Sequence, residues 1–445
     1  MTSETVKAVC LKLVEFSVMD NSEKSAKNFA EDMLSNMEMF WDGKLVDGLL
    51  GYLKHPTFLR EPRQCVRSLR VLHEMTTHCT EVDLRRLALD TNILHSLKEI
   101  LEIPKTRELI VRTSLDLISN LDLSGWQTRD AIIESGLLVA LLKLMNPHRK
   151  DPQKFKALLD QILWLLYQML GYKVPGPKKI ALYAVAVVLE KLLVPNRDVN
   201  IILPLLRVAR LVSEYKSVTL PAMIYSGLFE RVAPFVLSPV MEIKREAIFV
   251  LANTCEQPRK RRKDLLYRFP KIIVLYINDF FLSGTVEIRV LIHQLLGVII
   301  DNKCIRTDMM LRLIPKIIWC ASKKEPELEV RRAAGWTLAS LAIHLEPKNF
   351  SLFIKFGGYH VLCQVLHSDP PAKLLQNILA VFLRLIESYP DMKTFLISML
   401  RHCGVSPILQ KLLDSENPTV NTLATLLCLH GDDWMGYVRN IQHLI

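Results

Sequence analysis

The densest run of chemically active side chains in the sequence is Arg259, Lys260, Arg261, Arg262 and Lys263, five cations in succession. Such a run can neutralise phosphates along a nucleic-acid backbone or act as a nuclear-localisation signal, and it equally suits a solvated loop. No aromatic residues are interleaved with it, which argues against base stacking on a single strand. The chain as a whole carries a formal net charge of +11 over 445 residues. That excess leaves two readings open: an acidic partner, or solubility charge scattered over outer surfaces.

Catalytic spacings are absent. The 12 histidines form no HExxH and no metal-binding spacing, and no GxSxG, GxGxxG or P-loop occurs. The segment "GYKVPGPKK" lacks the Lys-Ser/Thr ending that a phosphate-cradling loop needs. No pair of carboxylates sits in an apolar setting that would split their pKa values for acid–base work. The nine cysteines include no CxxC and fall mostly in apolar runs, as free thiols of a reducing compartment do. The longest uncharged apolar runs, near 162–172 and 180–189, are shorter than the ~20 residues of a membrane span. No secretory signal is visible, because Glu4, Lys7 and Lys12 interrupt the first apolar stretch. The expectation is a non-catalytic protein of cytoplasm and nucleus, with no cofactor, no metal and no membrane association.

The elements that would position any site come from a repeat. Apolar runs with a charged lead-in begin near Gln64, Arg107, Lys154, Asp198, Val240, Gly284, Pro326, Pro370 and Glu416, at intervals of 42 to 47 residues. That period belongs to armadillo and HEAT arrays. Each unit starts with an amphipathic helix of 3.6-residue periodicity, as in "RELIVRTSLDLISNL" and "EVRRAAGWTLASLAI". A polar loop and a second apolar helix follow, often entered through glycine, as in "IIESGLLVALLKLM". One helix pair cannot bury its apolar face alone, so successive units must stack. The predicted fold is all-α, a right-handed α-solenoid of about ten armadillo (ARM/HEAT-like) repeats over 41–433. An N-terminal helical cap over 1–40 and a C-terminal tail over 434–445 complete it.

In order along the chain, "ISNLDLSGWQTRDAIIESGLLVALLKLM", "ILWLLYQMLGYKVPGPKKIALYAVAVVLEKLLV", "EVRRAAGWTLASLAI" and "GVSPILQKLLDSENPTVNTLATLLCLHGDD" resemble repeats three, four, eight and ten of the importin-α (karyopherin-α) family. The resemblance implies an adaptor for nuclear protein import that binds lysine-rich localisation peptides in its concave groove. In that family a tryptophan stacks the ligand lysine and an asparagine one turn later grips the peptide backbone. The physical logic holds, since an indole face attracts an ammonium and i, i+4 residues share a helix face.

Carried over, that pattern is eroded. Trp164 is followed by Gln168, Trp336 by Ser340, and Asn120 is preceded by Asp116. Asn253 follows Phe249, while Arg70 and Glu74, and His293 and Gly297, occupy two further pairs. Residues 1–40 lack the basic segment that in the family binds importin-β, and the net charge is opposite to the family's acidic core. Trp164, Gln168, Asn120, Asp116, Asn253, Trp336 and Ser340 are the candidate groove residues. Against this stand core packing for the tryptophans, inter-turn bridging for the asparagines, and simple solvation for Asp116, Glu74 and Glu214. Three functions remain: an import adaptor for cargo peptides, an armadillo scaffold that has changed its ligand, and a nucleic-acid binder using Arg259 to Lys263.

Overall fold

The computed structural model describes residues 62–77, 79–103, 108–145, 152–172, 174–195, 198–215, 219–256, 284–305 and 307–430. The expected cap and tail, and the cations Arg259 to Lys263, lie outside the described residues. Two compact units divide between Val232 and Ala233. Among the described residues every regular element is helical, with 21 α-helices and short 3-10 turns.

Unit 1 opens with α1 (Pro62–Thr77). Two full repeats follow: α2 (Glu81–Asp90), α3 (Ile93–Glu102) and α4 (Glu108–Asp122), then α5 (Trp126–Glu134), α6 (Leu137–Leu144) and α7 (Pro152–Gly171). The unit ends with α8 (Lys179–Leu192), α9 (Val199–Glu214), α10 (Thr219–Tyr225) and α11 (Leu228–Val232). Unit 2 runs through α12 (Met241–Cys255), α13 (Val286–Asp301), α14 (Thr307–Ala321) and α15 (Leu328–His344). It then adds α16 (Phe350–Lys355), α17 (Gly358–Leu366) and α18 (Ala372–Ser388), followed by α19 (Lys393–His402), α20 (Ser406–Leu412) and α21 (Pro418–Leu429).

The long last helix of each repeat packs on its counterpart in the next. The series is α1, α4, α7, α9 in unit 1 and α12, α13, α15, α18, α21 in unit 2. The remaining helices build a second layer, in which α3 meets α6 and α6 meets α8. The expected stacking is therefore present within each unit, but the helix pair is an undercount. A full repeat has three helices, because the polar stretch after α1, α4, α9, α15 and α18 leads into a further short helix. "THCTEVDL" shows why: Thr80 caps α2 by accepting from the Asp83 N–H, while the Asp83 carboxylate takes the Thr80 N–H. The short helix then turns sharply into the next. Gly136 makes that turn between α5 and α6 at φ +79°, a left-handed conformation that a side chain disfavours. Gly227, Gly357 and Gly404 occupy the equivalent turns.

Stacking on both flanks dictates what each long helix leaves open. In α7, Leu158, Leu159, Ile162, Leu163, Leu165, Leu166, Met169 and Leu170 are all buried. Asp160, Trp164 and Tyr167 stay exposed, spaced four and three residues apart on one face. In α15 the open strip is Glu329, Arg332, Ala333 and Trp336, with the same spacing. Arg129 of α5, fully buried, joins one repeat to the next. Its Nε and Nη2 meet Asp130 at 2.9 and 2.8 Å, and Nη1 donates to the carbonyls of Tyr172 and Pro175 at 2.8 and 2.9 Å.

Candidate functional site

Among the described residues, the open strips of α7 and α15 each line a groove, the first in unit 1 and the second in unit 2. In unit 1 a groove of 710 Å³ runs between α7 and α9. Its walls include Trp164, Tyr167, Asp160, Lys156, Asn200 and Arg207. Trp164 is 61% exposed, so it is not the core residue that its apolar neighbours allowed it to be. Its ring stacks near Tyr167, with centroids 6.2 Å apart and planes 16° apart. Burial raises the Asp160 pKa, an effect partly offset by the Lys156 ammonium. Lys156 is itself held by Asp198, at 3.1 Å.

The polar residues beside this groove are committed to neighbouring helices. Asn120 Nδ2 donates to Thr76 Oγ1 at 3.0 Å and to the His73 carbonyl at 3.4 Å, bolting α4 to α1. Gln168 Oε1 accepts from Ser119 at 2.7 Å, and Gln161 Nε2 donates to Asp116 at 3.0 Å, bolting α7 to α4. Burial raises the Asp116 pKa, with the charges of His73 and Arg112 opposing. Of the three acids read as solvated, only Asp116 is exposed. Glu74 is half-buried, and Glu214 is half-buried with Arg210 at 3.4 Å.

In unit 2 a second groove, also 710 Å³, is lined by Trp336, Glu329, Asp301, Glu256, Arg332 and Lys373, among others. Trp336 leans into the space left by Gly297 of α13, where a Cβ would lie only 3.0 Å from the indole Cδ1. The position that the family pattern assigns to asparagine is thus a seat for the next repeat's tryptophan. Lys373, at the start of α18, holds its ammonium 5.5 Å from the centre of the Trp336 ring. Arg332 is tied down, donating to the carbonyls of Ser368 and Asp369 at 3.0 and 2.9 Å. Ser340 does not line the groove. It is fully buried, because α15 is flanked by α13, α14, α17 and α18 and its open strip ends at Trp336. His293 is likewise buried, and burial followed by the Arg289 charge lowers its pKa to about 3. Asn253 is half-buried on α12.

No family model and no curated protein matches the chain. Among solved structures, the crystal structure of an engineered protein superposes with a TM-score of 0.65 at 18% identity, covering 94% of this chain and 98% of that one. A designed armadillo repeat protein matches with a TM-score of 0.46 at 14% identity, over 55% of this chain and 99% of its own. The three-helix repeats and the near full-length superposition agree. The fold is an armadillo-like repeat array.

The strip thus brings Trp164 together with Asp160, and Trp336 with three carboxylates. It withdraws Asn120, Gln168 and Ser340 into packing. Tyr167, Arg207 and Lys373 escaped the sequence reading. Tyr167 was within reach, since it lies three residues after Trp164 on the same face. Lys373 comes from the following repeat and carries no local signal. Among the described residues no group of His, Cys, Asp and Glu is placed to hold a metal, and no helix is long and apolar enough to cross a membrane.

Proposed function

We propose that the chain is a non-catalytic adaptor that lays an extended segment of a partner protein across its open helix strips. It would work in nuclear protein import between cytoplasm and nucleus, as the importin-α resemblance implies. The observation that carries this reading is Trp164, a large indole left exposed and aligned with Tyr167 and Asp160 on one strip. An aromatic face that hydrophobic packing has left uncovered, with a carboxylate one turn away, suits the aliphatic stem and ammonium of a ligand lysine. With Asn120 and Gln168 committed between helices, recognition rests on side chains rather than on the peptide backbone.

The test is a fluorescence-polarisation titration with a labelled lysine-rich extended peptide. Trp164→Ala should weaken binding about 5- to 30-fold, equivalent to about 1–2 kcal/mol of lost ring contact. Unchanged affinity sinks this mode. Lys373→Ala should act in the opposite sense. Freeing the Trp336 face from the chain's own cation should strengthen binding to the unit 2 groove about 2- to 5-fold. Weaker binding in this variant would mean that Lys373 holds the ligand rather than competing with it.

A second reading, an armadillo scaffold with a different protein ligand, is favoured by the same commitment of Asn120, Gln168 and Asp116. Affinity purification separates the two readings. Recovery of importin-β with the chain supports the transport adaptor, and a stable complex without transport receptors supports the scaffold.

A further inference from the structure

We propose that Cys403 is a reactive thiol that hydroperoxides oxidise, and that Cys363 resolves the product as a disulfide between α17 and α19. Cys403 is the C-cap of α19 and is half-buried, while Cys363 is fully buried in α17. The two thiols are neighbours, and burial followed by the Cys403 sulfur raises the Cys363 pKa. His360, one turn before Cys363, places Nδ1 3.3 Å from the Cys403 sulfur.

The hydrogen-bond network sets the tautomer of His360. Gln364 Oε1 accepts from the Lys323 N–H at 3.4 Å, so the amide NH₂ of Gln364 is the group that faces His360 Nε2 at 2.9 Å. An amide nitrogen only donates, so Nε2 accepts and the ring proton sits on Nδ1. His360 therefore directs an N–H at the Cys403 sulfur, a donor placed to stabilise charge on that sulfur as it attacks. His367 Nε2 donates to the Cys403 carbonyl at 2.7 Å and holds the residue in place. Cys79 supplies a contrast within the same chain. It too is half-buried, but burial followed by the Asp83 charge raises its pKa to about 11, and its thiol donates to the Met75 carbonyl at 3.2 Å rather than facing an N–H.

The chemistry balances in two steps. The Cys403 sulfur attacks one peroxide oxygen, the S–O bond forms as the O–O bond breaks, and the displaced oxygen leaves as water (or alcohol) after taking a proton. The Cys363 sulfur then attacks the sulfenic sulfur, the S–S bond replaces the S–O bond, and a second water leaves with the Cys363 proton. Two thiols are oxidised and one peroxide is reduced. The product would staple α17 to α19.

The test treats the full-length protein with hydrogen peroxide, blocks remaining thiols and maps non-reduced peptides. A Cys363–Cys403 linked peptide is expected. In the untreated protein, Cys403 should react with iodoacetamide at least about five times faster than Cys79. His360→Phe should slow Cys403 several-fold, and Cys363→Ala should leave a Cys403 sulfenic acid that dimedone traps. The mapping and the rate comparison use unaltered protein, so they stand even where a variant folds poorly. Absence of the linked peptide, or a Cys403 rate equal to that of Cys79, overturns the proposal.

Discussion

Glu325→Ala is expected to lower the stability of unit 2 by about 3–5 kcal/mol, the usual cost of stranding one member of a buried ion pair. Glu325 is fully buried in the turn between α14 and α15, although its sequence setting reads as a polar lead-in. It pairs with Arg289 of α13, itself largely buried. Its other oxygen accepts from the Glu327 N–H at 3.2 Å, and Arg331 Nη1 donates to its carbonyl. Removing the carboxylate would leave the Arg289 cation buried beside His293, which burial and then the Arg289 charge hold neutral. The turn leading into α15 would lose its anchor as well. Urea denaturation of the variant and the parent gives the difference, and a loss below about 1 kcal/mol would mean that the pair is not desolvated. Adding Arg289→Met to Glu325→Ala should recover part of the loss, since no charge is then left unpaired, although the smaller alanine leaves a void. A double variant no more stable than the single one would show that the turn, rather than the ion pair, carries the effect.

The fold was legible because the stack repeats its own constraints. Each long helix needs an apolar face and each short helix ends in a turn, so the period and the glycines at 136, 227, 357 and 404 recur in the sequence. The short helices were not legible, because about half the residues of α2 and α5 are polar and they read as loops. The site was half legible for the same reason. Trp164 lies in "ILWLLYQML", where nothing local distinguishes it from its buried neighbours. Only when α4 and α9 cover the other faces of α7 does a single strip emerge. Asn120 finds Thr76 one repeat away, Trp336 finds Gly297 and Lys373 on opposite neighbours, and Arg289 finds Glu325. Residue types one repeat apart decide whether a polar side chain binds a ligand or its own chain, and a single-repeat alignment cannot show that.

Asp122→Asn is expected to stabilise the protein at pH 8 by up to about 4 kcal/mol and to change it little near pH 4. Asp122 ends α4 and is fully buried, and neither carboxylate oxygen has a hydrogen-bond partner. Burial raises its pKa from 3.8 to about 7, with the Arg129 charge opposing. Arg129 cannot cancel the penalty, because its guanidinium is spent on Asp130 and on two backbone carbonyls. The sign follows from proton counting. Below pH 3.8 Asp122 is protonated in both the folded and unfolded chain and costs nothing. Between 3.8 and about 7 the unfolded chain releases the proton and the folded chain keeps it, so stability falls as pH rises, by about 1.4 kcal/mol per unit. Above about 7 the loss is complete and constant. Asparagine does not titrate, so the variant lacks this slope. His293 contributes in the opposite direction. Its pKa is lowered to about 3, so the unfolded chain alone takes up its proton below about 6.5 and stability falls as pH falls. The raw pH profile therefore mixes two slopes of opposite sign, and the difference between variant and parent, measured by urea denaturation at pH 4, 6 and 8, isolates Asp122. A difference that stays flat across that range would show that the carboxylate is solvated in the folded protein and that the buried junction of α4 with α5 is more open than its geometry indicates.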